Sequence, residues 1–552
     1  MTSRSMVTRK ARAAIPQALS LLAVAALLTV VAVPAQSAVG APSSATAAAT
    51  QADAVQTAAA GDIPWTECTT EGAEAFDCAT IEVPSDYDEP YGPTTTVAVT
   101  RLPARDQENR IGSAVVNFGG PGGPGVATLH SNGEVLFDAA VRDRFDIVSF
   151  DPRGVGTSDP TTCFATPEEE QAYLGSILLL PQDASQNARF IRESAQLARG
   201  CTVFGGDRLA TASTANVARD MDVLRERLGE DTLTYVGYSY GTVLGATYGA
   251  LFPDNVRALV LDGTLDPRVW TGDANGKLFG DRIRQAEGAY ETYGEFVRLC
   301  REAAERCALN GLGDPAEIVE EVYAALKEQP VELPVGGGTT IQFGYGHLVY
   351  QITNTMSDTA GWANQAAFIA QLAFLTGVVP QASAEAQGSG LSISELLRRL
   401  GVSQDYPSIG GQVGPVCSDA DFPGRPWSYP AKVAALEAQY PHFGLFRGWL
   451  AIQCEFIDID DEDAYTGPWE QSTQQPVLVI GTRFDPATNY GFTQPYADLW
   501  PDARMLTVDG WGHTTIGRSS CADAAIAEYL VTLEADDGAV CEQDLVPFGA
   551  AG

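Results

Sequence analysis

The residues best suited to covalent chemistry lie in one pentapeptide, Gly-Tyr-Ser-Tyr-Gly, at positions 237–241. It follows a short β-rich run, Thr234–Val236, and precedes a run of small and apolar residues typical of a helix. A serine flanked at two residues by glycine fits a sharp strand-to-helix turn that strains the serine backbone and exposes its hydroxyl. Ser239 is therefore a candidate nucleophile, and an ordinary glycine-rich turn is the alternative interpretation.

A serine nucleophile needs a base, and the chain has four histidines: His130, His347, His442 and His513. In hydrolases built on a parallel α/β sheet the chain order is serine, acid, histidine, which excludes His130. His347 falls in a helical region, and the aromatic and proline neighbours of His442 favour a packed histidine. His513 follows the strand-like run Met505–Val508 in a Gly-Trp-Gly-His loop, so we predict that it is the base.

Two aspartates compete for the role of the acid that orients the histidine. Asp485 follows the apolar run Pro476–Ile480, and Asp262 follows the run Ala258–Leu261. Asp262 precedes glycine and is also explained by a simple Asp-Gly turn. We expect Asp485 to be the acid and keep Asp262 as its rival.

A glycine-rich loop at 119–125 follows the predicted strand Ala114–Phe118 and is suited to an oxyanion hole. Such a hole pairs a backbone N–H of this loop with the N–H of the residue after the nucleophile, Tyr240. Gly120 is the expected donor and Gly119 the alternative, since Pro121 has no N–H. The loop lacks the Gly-Lys-Ser/Thr ending of a phosphate-binding loop, and a plain flexible loop is the remaining alternative.

The elements that must position these residues follow an α/β pattern. Short, continuously apolar strands alternate with helical patterns such as Thr214–Leu228, which predicts a mostly parallel, doubly wound sheet. Amphipathic helices dominate residues 267–415, for example Ser392–Leu400, and indicate an inserted helical lid. We therefore expect a core of two parts, 62–266 and 416–552, with the acid and base in the second part.

Two further motifs make a family resemblance specific. The run Asn-Phe-Gly-Gly-Pro-Gly at 117–122 and the run Asp-Pro-Arg-Gly-Val-Gly-Thr-Ser at 151–158, with Ser239, Asp485 and His513, resemble the secreted bacterial tripeptidyl aminopeptidases. These are α/β hydrolases related to the prolyl aminopeptidases. The likeness runs from about residue 65 to residue 541. Phe118 is a departure, because prolyl aminopeptidases usually have histidine there. A second is Glu455-Phe-Ile after Cys454, where the family resemblance leads us to expect tryptophan.

The resemblance implies that the protein is an α/β hydrolase that releases short peptides from free amino termini. Such a substrate needs carboxylates to hold its ammonium group, and the candidates are Asp419, Asp421 and Glu455. Their alternative interpretation is solvated acids beside a disulfide. An esterase or lipase with the same triad, or a catalytically silent surface binding protein, are the other functions considered.

The amino terminus predicts export. Basic residues precede an apolar run and a small-residue cleavage pattern, so residues 1–37 are predicted to be a signal peptide, with an uncleaved anchor as the alternative. Residues 38–61, rich in Ala, Ser and Thr, are expected to be a disordered leader or pro-segment. The mature protein is then secreted, extracellular or associated with the cell wall.

Ten cysteines follow the predicted signal peptide, and none forms the CxxC pairs typical of zinc or redox sites. In an oxidising compartment sequence neighbours are expected to pair, although spacing does not fix the connectivity. The expected pairs are Cys68–Cys78, Cys163–Cys201, Cys300–Cys307, Cys417–Cys454 and Cys521–Cys541. We expect no metal and no cofactor.

The chain has 552 residues with 34 basic and 70 acidic side chains, a net charge of −36. Such a surface repels nucleic acid and anionic lipid, so neither nucleic acid nor a stable membrane partner is expected. A cationic substrate would be attracted, although an acidic surface also serves solubility alone. The oligomeric state is not predicted.

Overall fold

The computed structural model describes residues 63–272, 276–336, 339–380, 409–459, 461–470 and 472–549. The predicted signal peptide 1–37, the whole predicted leader 38–61 and the predicted helix Ser392–Leu400 lie outside these residues. Within the described ranges no helix combines the length and apolar character needed to cross a membrane.

The strands are short and mostly buried. In chain order they are β1 (Thr66–Glu67), β2 (Asp77–Pro84), β3 (Thr94–Leu102), β4 (Gly112–Asn117), β5 (Phe145–Phe150), β6 (Leu233–Tyr238), β7 (Val256–Asp262), β8 (Val331–Gly336), β9 (Thr339–Phe343), β10 (Val477–Phe484), β11 (Ala503–Trp511) and β12 (Ala539–Glu542).

The α-helices surround the sheet and fill the region between β7 and β10. They are α1 (Gly125–Asn132), α2 (Ala139–Arg144), α3 (Pro167–Ser176), α4 (Ala184–Gly205), α5 (Asp207–Ala210), α6 (Thr214–Arg227), α7 (Tyr240–Leu251), α8 (Pro267–Thr271), α9 (Phe279–Arg282), α10 (Gln285–Glu302), α11 (Pro315–Glu328), α12 (Tyr345–Thr355), α13 (Trp362–Leu375), α14 (Ile409–Asp419), α15 (Tyr429–Gln439), α16 (Phe443–Gly448), α17 (Thr493–Ala497) and α18 (Ser520–Thr532).

One ten-stranded sheet forms the centre of the fold, in the order β1-β2-β3-β5-β4-β6-β7-β10-β11-β12. The strands from β5 to β12 in this order pair in parallel, and β1, β2 and β3 join antiparallel at one edge. Every residue of β4, β5 and β6 is buried, because helices cover both faces of the sheet. The predicted α/β fold with a mostly parallel, doubly wound sheet is confirmed.

The register of the parallel strands brings their carboxyl ends to one edge. Asn117 in β4 pairs with Gly237 in β6, and Gly237 pairs with Leu261 in β7. Ile480 in β10 pairs with Asp262. The loops that follow these strands therefore leave the sheet at the same level, which is where ligands bind in such sheets.

A second hydrophobic core lies among the helices inserted between β7 and β10. Phe296 of α10, Val319 of α11, Leu348 of α12 and Trp362 of α13 are all buried in it. The antiparallel hairpin of β8 and β9 also belongs to this region, which the sequence predicts to be mostly helical. The hairpin strands are short and a run of glycines separates them in the sequence, so their alternating pattern is weak.

Five disulfides join the ten cysteines. Each links the two cysteines that are neighbours in sequence, so the expected pairing is confirmed. Cys417 at the end of α14 is bonded to Cys454, and this bond ties the inserted helices to the segment that leads into β10.

Candidate active site

Ser239 lies in the turn between β6 and α7 in a conformation that only a constrained L-residue adopts. Its φ is 57° and its ψ is −124°, and its N–H donates to the carbonyl of Asp262 at 2.9 Å. A Cβ on Gly237 would lie 2.4 Å from the carbonyl oxygen of Gly241, so this turn has no room for a side chain there. The glycines of the pentapeptide thus allow the turn that presents the Ser239 hydroxyl.

His513 and Asp485 are in direct contact. Nδ1 of His513 lies 3.0 and 2.9 Å from the two carboxylate oxygens of Asp485, whose side chain is 1% exposed. The carboxylate also accepts the N–H groups of Ala487 and Thr488, each at 2.8 Å. These donors hold Asp485 in one orientation after the end of β10.

The charge state of Asp485 fixes the tautomer of His513. Burial opposes ionisation, but the charge and hydrogen bond of His513, with the N–H donors of Thr488 and Ala487, lower the pKa of Asp485 below its ordinary value. The ionised carboxylate accepts the Nδ1–H of the imidazole. Nε2 of neutral His513 is then without a hydrogen and is free to take a proton.

Asp262, the rival acid, makes different contacts. Its Oδ2 accepts the N–H and the hydroxyl of Thr515 at 2.8 and 2.6 Å, and its buried Oδ1 has no hydrogen-bond partner among the described residues. Burial raises the pKa of Asp262 to about 6. Of the two aspartates, Asp485 is the one whose carboxylate is hydrogen-bonded to the His513 imidazole in this structure.

The turn after β7 lies between the serine and the histidine. A Cβ placed on Gly263 would lie 3.6 Å from Cε1 of His513, and the residue before it accepts the Ser239 N–H. Among the described hydrogen bonds none joins the Ser239 hydroxyl to His513. Such bonds are commonly long in unliganded enzymes and tighten when substrate binds.

The glycine-rich loop after β4 lies beside the serine turn. A Cβ on Gly119 would lie 2.9 Å from Cβ of Ser239 and 3.2 Å from the backbone nitrogen of Tyr240. The Gly119 N–H is already donated to the Asn117 side chain at 2.9 Å. The next N–H, that of Gly120, has no such partner among the described hydrogen bonds, so the contacts favour Gly120 over Gly119 as the second donor beside Tyr240.

The three acids considered for a substrate ammonium group lie in different surroundings. Asp419 is 4% exposed, whereas Asp421 is exposed and Glu455 is partly exposed. Glu455 accepts the N–H of Arg425 at 2.5 Å and lies beside Tyr429. The Cys417–Cys454 disulfide joins the segments that carry all three.

Asp419 is fully engaged with its neighbours. It accepts the N–H and hydroxyl of Thr214 at 2.8 and 2.5 Å and the indole N–H of Trp270 at 3.0 Å. The hydroxyl of Thr214 also contacts that of Tyr240. Burial raises the pKa of Asp419 to about 6, against the lowering effect of these hydrogen bonds. Asp419 is thus linked through Thr214 to Tyr240, the residue after Ser239, and its oxygens are occupied by donors of the protein.

Sequence reasoning missed Thr488, whose hydroxyl donates to Asp485 Oδ2 at 2.8 Å and lies 3.4 Å from Nδ1 of His513. The spacing of Asp485 and Thr488 could have indicated this contact, because an aspartate commonly accepts the N–H groups two or three residues ahead in a turn. Thr214 and Trp270 carried no such local signal, since their contact with Asp419 joins distant parts of the chain.

The other histidines lie away from this constellation. His442 is buried, with Nδ1 2.9 Å from the Tyr345 hydroxyl and Nε2 3.0 Å from Glu320, as expected for a packed histidine.

His130 forms, with Cys68 and Cys78, a group of potential metal ligands among the described residues. Those cysteines are joined in a disulfide and are not thiolate ligands.

Two family models match the chain. Residues 118–298 match one described as alpha/beta hydrolase fold, and residues 440–541 match one described as TAP-like protein. Carboxylesterase B of Mycobacterium tuberculosis is 30% identical over 464 residues, covering 82% of this chain and 84% of that protein. The chain belongs to the α/β-hydrolase family.

Two further relatives of this hydrolase carry peptidase names. Tripeptidyl aminopeptidase of Streptomyces coelicolor is 28% identical over 491 residues, covering 86% of this chain and 85% of that protein. Serine protease Hip1 of Mycobacterium tuberculosis is 29% identical over 492 residues, covering 85% of this chain and 88% of that protein. The resemblance read from the sequence motifs is confirmed, and the protein is a serine hydrolase.

Proposed function

We propose that this hydrolase is a secreted serine exopeptidase that releases short peptides, tripeptides first among them, from free amino termini. The observation that carries the proposal is the contact of His513 with the buried Asp485 at the sheet edge where the strained Ser239 is presented. The peptidase names of relatives that align over most of the chain favour amide over ester substrates.

In the proposed mechanism the Ser239 hydroxyl attacks the scissile carbonyl carbon while Nε2 of His513 takes its proton. Asp485 holds the imidazole and stabilises its charged form. The carbonyl oxygen becomes an oxyanion, and the N–H groups of Gly120 and Tyr240 bind it. His513 then gives the proton to the leaving amine. Water next attacks the acyl carbon while His513 takes its proton, and His513 returns that proton to Ser239 as the peptide acid leaves.

We propose that acids near the Cys417–Cys454 disulfide, which lies at the end of α14, bind the ammonium group of the substrate. The helix packs on the glycine-rich loop, since a Cβ on Gly122 would lie 2.7 Å from the backbone of Gly411. Asp421 is exposed and Glu455 partly exposed, so both are offered to a ligand more readily than Asp419. The net charge of −36 favours such a cationic substrate.

Secretion is part of the proposal. The predicted signal peptide at 1–37 and five disulfides fit an oxidising compartment outside the cytosol. Peptides with a free amino terminus are the partners proposed, and the acidic chain is a poor partner for nucleic acid or anionic membranes.

An esterase is the second candidate, because the relative named Carboxylesterase B has the same extensive alignment. The two functions share the triad and differ in what the cleft recognises. An exopeptidase that acts on free amino termini must bind an ammonium group, whereas an esterase needs only an acyl pocket.

Hydrolysis of chromogenic tripeptide amides by the purified mature protein tests the proposal. Each amide is offered with a free and an acetylated amino terminus, beside simple aryl esters. We expect cleavage of the free amides only, lost in Ser239→Ala and kept in Ser131→Ala, a control at an exposed serine of α1. Equal cleavage of acetylated amides would establish an endopeptidase. Rapid hydrolysis of esters alone would favour the esterase, and no hydrolysis of any substrate would favour a silent binding protein.

A further inference from the structure

The loop that carries His513 has a conformation that needs support. Gly512 has a φ of +99° and Thr514 a φ of +62°, so positive backbone angles flank the histidine. For threonine, a β-branched residue, this region is disfavoured and persists only where the surroundings hold it. The loop lies between the end of β11 at Trp511 and the start of α18 at Ser520, and it has no regular secondary structure of its own.

One side chain binds the carbonyl groups of this loop. Nη1 of Arg518 donates to the carbonyl of His513 at 2.6 Å and lies 3.3 Å from the carbonyl of Thr514. A Cβ on Gly512 would lie 2.8 Å from the same Nη1, so the guanidinium packs across the backbone on both sides of the histidine. The Arg518 side chain is only 21% exposed.

An ion pair does not account for this burial. Among the described residues, the carboxylate that pairs with the guanidinium is that of Asp358, 4.0 Å away on a side chain that is 66% exposed. An exposed pair at that distance contributes little. The short contact of Arg518 is the one with the His513 carbonyl, and a charge-assisted hydrogen bond of this kind is stronger than a neutral one.

The opposite side of the loop is held by the inserted helices. The His513 N–H donates to the carbonyl of Ser357, in the turn after α12, at 3.0 Å. Gln543 donates to the Thr359 hydroxyl at 2.9 Å and accepts the Trp511 N–H at 2.7 Å. The His513 N–H is thus bound by the turn after α12, and the His513 carbonyl is bound by Arg518.

We propose that Arg518 is a positioning residue that holds the His513–Thr514 turn so that the imidazole keeps its place between Asp485 and Ser239. The inference rests on the proposed role of His513 as the base. The described contacts of the Arg518 side chain are with the carbonyl groups of His513 and Thr514 and with Asp358, so it acts through the backbone of the histidine.

The test compares Arg518→Ala and Arg518→Lys with the wild-type protein. We measure kcat and KM on the tripeptide amide and, separately, the rate at which a fluorophosphonate modifies Ser239. The modification rate depends on the serine and histidine and not on any ammonium site. It therefore tests the proposal even if the substrate is an ester. Arg504→Ala is the control, because Arg504 pairs with Asp502 at the other end of β11.

For Arg518→Ala we expect kcat and the modification rate to fall together, roughly ten- to hundredfold, with KM changed less than about twofold. Arg518→Lys restores part of the loss, because one donor can still reach the carbonyl. Added guanidinium ion at millimolar, non-denaturing concentration raises the activity of Arg518→Ala and not that of the wild-type protein.

Melting temperatures separate positioning from loss of fold. A loss of rate in Arg518→Ala protein that remains folded, with rescue by guanidinium, supports the proposal. Unchanged kcat and modification rate in Arg518→Ala would overturn it. A loss that only follows the unfolded fraction, with no rescue and no benefit from lysine, would overturn it as well.

Discussion

At the scale of single residues, the site depends on which of two buried carboxylates contacts the histidine. Asp485 lies 2.9 Å from Nδ1 of His513, whereas Asp262 binds Thr515. Both were candidates from sequence, since each follows an apolar strand. Their separate roles depend on the orientation of side chains, which local sequence does not determine.

Replacing each carboxylate by its amide distinguishes these roles. We expect Asp485→Asn to lower kcat about 10³- to 10⁴-fold, because the amide neither fixes the productive tautomer nor stabilises the imidazolium. Asp262→Asn is the matched buried control, with a change of less than about tenfold, because its substitution leaves the His513 contact intact. A larger loss for Asp262→Asn than for Asp485→Asn would contradict the assignment.

At the scale of elements, α14 is one of the inserted helices that meet the loops of the candidate site. This helix packs on the glycine-rich loop at Gly411, and the Cys417–Cys454 disulfide fixes its end. The Cys300–Cys307 disulfide, in contrast, lies within the core of the inserted helices.

Paired serine substitutions compare the two disulfides. Sequence separations of 37 and 7 residues predict losses in the free energy of unfolding of about 4 kcal/mol for Cys417–Cys454 and about 2.5 kcal/mol for Cys300–Cys307. We expect only the first change to lower kcat in protein that is still folded, as measured by denaturant unfolding and assays at one temperature. Equal effects of both changes on kcat would refute a special role of α14.

Most strands and helices of the core could be predicted because each has a clear apolar pattern. The predicted helix Thr214–Leu228 is observed as Thr214–Arg227, and the predicted strand Met505–Val508 lies within β11. The hairpin of β8 and β9 has no comparable pattern. Contacts such as Arg518 with the His513 carbonyl could not be predicted, because they depend on how a loop folds back on itself.

At the scale of the whole molecule, buried acids couple stability to pH. The pKa values of Asp262 and Asp419 are raised to about 6 from 3.8 by burial. The folded state therefore binds protons more tightly than the unfolded state, and this stabilisation is complete below about pH 4 and is lost as pH rises through about 6. His130 and His347, whose pKa values burial lowers, act in the opposite direction.

A single substitution isolates one of these contributions. We expect the wild-type protein to lose on the order of 2 kcal/mol more stability than Asp419→Asn between pH 4 and pH 7.5, measured by denaturant unfolding at each pH. Asp421→Asn, at an exposed acid, should follow the wild-type curve. Parallel curves for the wild-type protein and Asp419→Asn would show that Asp419 does not titrate in this range.

The central claim is that the molecule removes short peptides from a free amino terminus by acylation of Ser239. The most direct test is mass spectrometry of the products released over time from an unlabelled peptide of about ten residues, in free and acetylated forms. We expect tripeptides to be released in order from the amino terminus of the free form, and none from the acetylated form or with Ser239→Ala. Internal cleavage, or equal cleavage of the acetylated peptide, would contradict it.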